Sequence, residues 1–112
     1  WLFDGRLPDL SIGTASGASA DETLTAAVVQ ACAAWPQFST AVNGRFKGGY
    51  ITRHYGQPDQ HIHAIQLEMC QSLYMQEVAP FAFDDARAAL VQPLLAEMVS
   101  GPLEISRVRY EK

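Results

Sequence analysis

The sequence predicts an α/β fold, a mixed sheet with flanking helices, built as one domain over residues 1–112. Three observations predict it. Apolar and polar residues alternate through Leu10–Ala15 and His63–Met69, the period of strands with one buried face. Leu24, Val28, Ala31 and Trp35 recur at helical spacing, and so do Ala86, Ala89, Leu90, Leu94 and Met98. Gly, Pro and Asn clusters punctuate the chain between these runs.

Each element has its own signal. Leu7-Pro8-Asp9 reads as a turn, and Leu10–Ala15 as a short strand in which Gly13 leaves room for another backbone or a ligand. Ser16–Ser19 is a loop of small residues. Ser19 with Glu22 makes a capping box that opens the first helix, and Pro36 closes it. Phe38–Val42 reads as a strand, and Asn43-Gly44 as a tight turn. Gly49–Tyr55 reads as extended, with Ile51, Arg53 and Tyr55 on one side and Tyr50, Thr52 and His54 on the other. The clearest strand is His63–Met69: Ile65, Leu67 and Met69 point one way, Ala64, Gln66 and Glu68 the other. Asp84 or Asp85 caps the last helix, Pro93 should kink or split it, and Gly101-Pro102 should end it. Leu103–Tyr110 reads as a weak final strand.

Composition narrows the function classes. A hydrophobic fraction of 48% with 18% charged residues suits a globular chain with a core. The net charge of -4 argues against nucleic acid or an anionic membrane as partner. No apolar run approaches the ~20 residues of a membrane-spanning helix. Cys32 and Cys70 lack CxxC spacing and read as two buried free thiols of a cytoplasmic protein. The chain opens on apolar Trp1-Leu2-Phe3 without a Met, which reads as a piece of something longer.

The residues that could carry chemistry sit in one block. Arg45, Lys47 and Arg53 place three cations within nine residues with no acid between them, on an otherwise acidic chain. Arginine forks suit carboxylates, so this block reads as one wall of a site for a small anionic substrate. A solvated loop would carry the same charges. Glu68, on a strand with apolar neighbours, is costly to bury unpartnered, and desolvation would favour proton uptake as a general base needs. It would equally fit the wet face of a half-exposed sheet. His61 and His63 share a face on an extended segment, a spacing zinc sites use, yet two histidines are not a site. Ser16 and Ser19 lack the Gly-x-Ser-x-Gly frame, and Gly13–Gly17 is neither a dinucleotide nor a phosphate loop. Tyr74 and Met75 suit a core or an interface.

From Gly44 to Gly56, GRFKGGYITRHYG, again at His63–Met69, HAIQLEM, and at Tyr74-Met75, the sequence resembles the N-formylglutamate amidohydrolase (deformylase) family. Leu7–Ala15 resembles the stretch leading into the second half of that family. The resemblance implies a C-terminal portion of a larger domain with a zinc-carboxypeptidase-like (phosphorylase/hydrolase-like) fold. It implies hydrolysis of N-formyl-L-glutamate to formate and L-glutamate in histidine degradation, through a metal-activated water. Glu68 matches the general base, and Gln66, which precedes it on the same face, is expected to bind the substrate. Arg45, Lys47 and Arg53 match the loop that holds carboxylates or an oxyanion. The cofactor it implies is a divalent metal, zinc for preference, whose His and acidic ligands find no match in this sequence. The expectation is therefore a metal-dependent amidohydrolase whose metal ligands lie outside this chain, and a chain inactive alone. A related N-acyl amino acid hydrolase and a non-catalytic anion-binding or interaction domain stay open. Uncovered sheet edges would favour a homo-oligomer.

Overall fold

The computed structural model describes residues 5–110, so the Trp1-Leu2-Phe3 opening lies outside the described residues. A three-stranded mixed sheet has the order β2-β1-β3. The central strand β1 (Leu10–Gly13) pairs in parallel with β2 (Thr40–Val42) and antiparallel with β3 (Gln66–Met69). Helix α1 (Glu22–Ala33) makes the crossover between the parallel strands. A short helix α2 (Tyr50–Tyr55) and a 3-10 turn (Pro58–Gln60) lie between β2 and β3, and α3 (Asp85–Tyr110) closes the chain.

Strand β1 ends at Gly13, short of Ala15, and all four of its residues are buried; the period-two pattern shows in which of them meet the core. Leu10 and Ile12 are fully buried and pack with Val28 and Cys32 of α1 and Val91, Leu94 and Met98 of α3. Burial of each such side chain contributes on the order of 1.5–3 kcal/mol. The helices thus cover the Leu10/Ile12 face. The other face carries Ser11 and Gly13, which stand opposite Glu68 and Gln66 of β3. Asp9, itself buried, ties the sheet at its far end: its backbone N–H donates to Ser39 Oγ (2.8 Å), its carboxylate accepts the Ser39 N–H (2.9 Å), and its carbonyl accepts the Cys70 N–H (2.9 Å).

Several expectations need correction. The cap of α1 is Asp21, whose carboxylate accepts the Thr23 N–H at 2.8 Å. Ser19 is instead buried and donates to the Ala64 carbonyl (2.7 Å), so a tertiary partner takes the hydroxyl that the capping box needed. Strand β3 is shorter than His63–Met69, and β2 shorter than Phe38–Val42, with Phe38 packed on the core. Cys32 is buried as expected but Cys70 only half-buried; both are free thiols, and burial raises both thiol pKa values.

Of the Gly49–Tyr55 segment only Gly49 is extended; Tyr50–Tyr55 is helical. Ile51 and Thr52 favour strands in isolation, but only Thr52 is buried, and the helical turn stacks His54 on Tyr50 with centroids 4.8 Å apart. Helix α3 is continuous through Pro93 and Pro102 and absorbs the residues read as a final strand. Pro93 lies on the solvent side, and Val91, Leu94 and Met98 hold the helix on either side of it. The buried stripe is Ala88, Val91, Leu94 and Met98, while Leu90 is exposed. Asp84 is the residue that caps it, accepting the Arg87 N–H at 3.0 Å. An apolar groove of about 450 Å³ runs between sheet and α3, lined by Ile65, Leu67, Met69, Leu95, Val99 and Leu103 among others.

Gly101 lies inside α3, facing Ala27 of α1, with ordinary contact room for a Cβ. Gly101→Ala should therefore raise stability by about 0.5–1 kcal/mol in a thermal melt, as for an interior helical glycine. A helix that ended at Gly101 would give a loss instead.

Candidate functional site

The polar face of the sheet is organised by what crosses Gly13. A Cβ built there would stand 2.7 Å from Gly48 N and from the Lys47 carbonyl carbon, closer than packed atoms tolerate. Without one, the Lys47–Gly49 backbone passes directly over the end of β1. The Ala15 N–H donates to Lys47 O at 2.7 Å. Asn43 holds the loop from its other end. It sits in the left-handed region (φ 50°), its Oδ1 accepts the Thr14 N–H (2.9 Å) and the Ser16 N–H (3.2 Å), and its Nδ2 donates to Thr14 Oγ1 (2.8 Å). The turn read from Asn43-Gly44 is thus fixed by the Asn side chain as well as by its backbone.

Beyond Lys47 the chain needs its glycines for different reasons. Gly48 has φ +113°, and a Cβ there would collide with the Thr52 side chain. Gly49 precedes α2, and its N–H donates to Gln66 Oε1 at 2.9 Å. The Thr52 hydroxyl lies 3.5 Å from the same oxygen. Arg53 Nη1 donates back to Gly48 O at 2.8 Å. Gln66 then donates from Nε2 to Glu68 Oε1 at 2.7 Å. One hydrogen-bonded chain therefore runs from the glycine pair through Gln66 to the Glu68 carboxylate.

The site residues read from sequence fall into place unevenly. Gln66, Glu68 and Arg53 are joined through this chain, on the face away from α1 and α3. Arg45 and Lys47 lie on the loop before it, and both are exposed. Glu68 is also exposed, so of its two sequence readings the wet face of a half-exposed sheet is the one the described residues show. What the arrangement offers is a carboxylate held by one amide, near a loop that carries Arg45 and Lys47 and a short helix that carries Arg53. The cations can attract an anion to this face.

The histidines form a separate cluster. His63 Nδ1 accepts the Asp21 N–H (3.0 Å), and His63 Nε2 lies 2.9 Å from the Tyr110 hydroxyl. The His61 ring is 4.7 Å from the Tyr110 ring. His54 packs between Tyr50 and Tyr55. Among the described residues no three His, Cys, Asp or Glu side chains converge as a metal site. With both ring nitrogens of His63 engaged and no third donor converging among the described residues, the His61–His63 pair does not complete a metal site. Arg109 pairs with Asp21 at 3.3 Å, which fastens the end of α3 to the start of α1. Nothing in the sequence marks Asp21, Arg109 and Tyr110 as partners, because no local pattern links residues so far apart.

Fold and face together define a small α/β unit with a carboxylate and basic residues on the polar side of its sheet. The N-formylglutamate amidohydrolase family model matches residues 1–75. The N-formylglutamate deformylase of Pseudomonas aeruginosa is 51% identical over 109 residues, which is 97% of this chain and 41% of that protein. That of Pseudomonas putida is 46% identical over 111 residues, 99% of this chain and 42% of the relative. The crystal structure of N-formylglutamate amidohydrolase from Ralstonia eutropha JMP134 superimposes with a TM-score of 0.77 at 21% identity, over 95% of this chain and 37% of that one. This chain belongs to the N-formylglutamate amidohydrolase family. It spans about two-fifths of the length of these relatives.

The Asp21 carboxyl is held below its ordinary value of 3.8, first by the Thr23 N–H and then by Arg109. Because the folded value is the lower one, its contribution to stability is complete above pH 4 or so and fades as pH falls through the folded value. An NMR titration should place the Asp21 midpoint below that of an unfolded aspartate, and a midpoint at or above it would contradict the capping geometry.

Proposed function

We propose that this chain is part of an enzyme that hydrolyses N-formyl-L-glutamate to formate and L-glutamate, a reaction of histidine degradation in the cytoplasm. The observation that carries the reading is the Glu68 carboxylate, fixed by Gln66 beside the Arg45–Arg53 loop in a chain of this family. Glu68 takes the proton of the attacking water and returns it to the departing amine nitrogen, a role for which a positioned carboxylate is suited. Arg53, Arg45 and Lys47 contact the carboxylates of the substrate or the developing oxyanion.

A divalent metal, zinc for preference, belongs to this proposal only with ligands from outside the chain, since the histidines here do not complete a site for one. The zinc-carboxypeptidase-like fold is likewise a proposal for the larger domain. Two features support a chain that works as part of something larger. It spans 41% of its P. aeruginosa relative, and the outer edges of β2 and β3 have no partner strand among the described residues. Exposed edges of this kind recruit further chain or a second copy, and a homo-oligomer would cover them equally. The exposure of Glu68 favours one alternative, an anion-binding or interaction module without catalysis. A related N-acyl amino acid remains the alternative substrate.

In the full-length protein Glu68→Gln should lower formate release from N-formylglutamate by about 10²–10⁴-fold, the range of general acid–base catalysis. Substrate binding measured by calorimetry should persist. Binding and turnover both unchanged in Glu68→Gln would support the binding module. The 112-residue chain alone, supplied with zinc, should release no formate.

A further inference from the structure

We propose that Gln66 is a positioning residue for Glu68 and not a contact for the substrate; this rests on the reading of Glu68 as the base. The argument starts from the donors and acceptors of one amide. The Gly49 backbone N–H can only donate, so the Gln66 atom 2.9 Å from it must be the oxygen. That assignment turns the NH₂ group toward Glu68, where Nε2 stands 2.7 Å from Oε1. A donor there satisfies a carboxylate, and charge-assisted bonds of this length are the stronger kind. Gln66 Oε1 is therefore committed to the glycine loop and its amide nitrogen to the base.

The placement of Gln66 is over-determined. Its backbone is locked in β3, opposite Gly13 of the central strand. Gly13 is also where the Lys47–Gly49 backbone crosses, so the same register that seats Gln66 brings Gly49 to it. Thr52, buried on α2, closes on the same Oε1 at 3.5 Å, and Arg53 fixes the Gly48 carbonyl on the other side. Gln66 and Glu68 are two apart on one strand, so both project from the same face. A side chain held at its base by a sheet and at its tip by a backbone N–H has little freedom to reach for a ligand. It has the geometry to limit the freedom of the neighbouring carboxylate, and it couples the basic loop to the base through one amide.

Two substitutions separate the two arms of this amide. Gln66→Met removes both hydrogen bonds at similar volume. Gln66→Glu keeps an acceptor for the Gly49 N–H but sets a carboxylate against Glu68. In the full-length protein both should lower kcat for N-formylglutamate hydrolysis by about tenfold or more, the scale of one hydrogen bond to a charged group, with KM within about twofold. Hydrogen exchange at the Gly49 amide should speed up in Gln66→Met and stay slow in Gln66→Glu. A raised KM with kcat unchanged would make Gln66 a substrate contact and overturn the proposal. So would wild-type kcat in both variants when Glu68→Gln is inactive. If Glu68→Gln keeps its activity, the base reading itself fails, whatever Gly49 exchange shows.

Discussion

The close passage of the Lys47–Gly49 backbone over Gly13 is the contact on which the rest of this structure depends. Strand β1 is the centre of the sheet, so whatever sits at its end is positioned relative to both neighbouring strands. A glycine at that end lets a second backbone approach to a distance that a Cβ would forbid. From that crossing follow the Ala15–Lys47 hydrogen bond, the left-handed Gly48, the start of α2 and the reach of Gly49 to Gln66. The basic loop is thereby attached to the rigid middle of the molecule and not left to wander on its surface.

The two faces of the sheet divide the labour. One is closed by α1 and α3 over Leu10 and Ile12, and this apolar packing supplies the stability. The other carries Ser11, Gly13, Gln66 and Glu68, on which the proposed chemistry rests. Long-range polar ties hold the periphery: Asp9 to Ser39 and Cys70, Ser19 to Ala64, and His63 to Asp21 and Tyr110. They join segments that are distant in sequence, so the short strands need little propensity of their own.

That division also explains what could be read from sequence. The alternation in β1 and β3 and the helical stripe of α1 were legible because each faces one continuous apolar core. The pairing of Gln66 with Glu68 on one face followed from the same period. The helix at Tyr50–Tyr55 was hidden, because its β-branched residues argue for a strand while its conformation is set by the glycine crossing and by Thr52 burial. The length of α3 was hidden as well. Pro93 and Gly101-Pro102 are helix breakers locally, and packing against α1 and the sheet outweighs them. At the site, residue types were legible but exposure was not: the strand period left Glu68 open between a buried base and a wet sheet face, and among the described residues it is exposed. Burial depends on what else lies over that face, which a strand period cannot report.

The most direct measurement is amide hydrogen exchange at Ala15 and Gly49 in the wild type and in Gly13→Ala. If the crossing at Gly13 governs the site, both amides exchange slowly in the wild type. In Gly13→Ala both lose protection, while the Val28 and Leu94 amides of α1 and α3 keep theirs. Unchanged protection at Ala15 and Gly49 in Gly13→Ala would contradict the account, because the loop would then be held without the space that glycine provides.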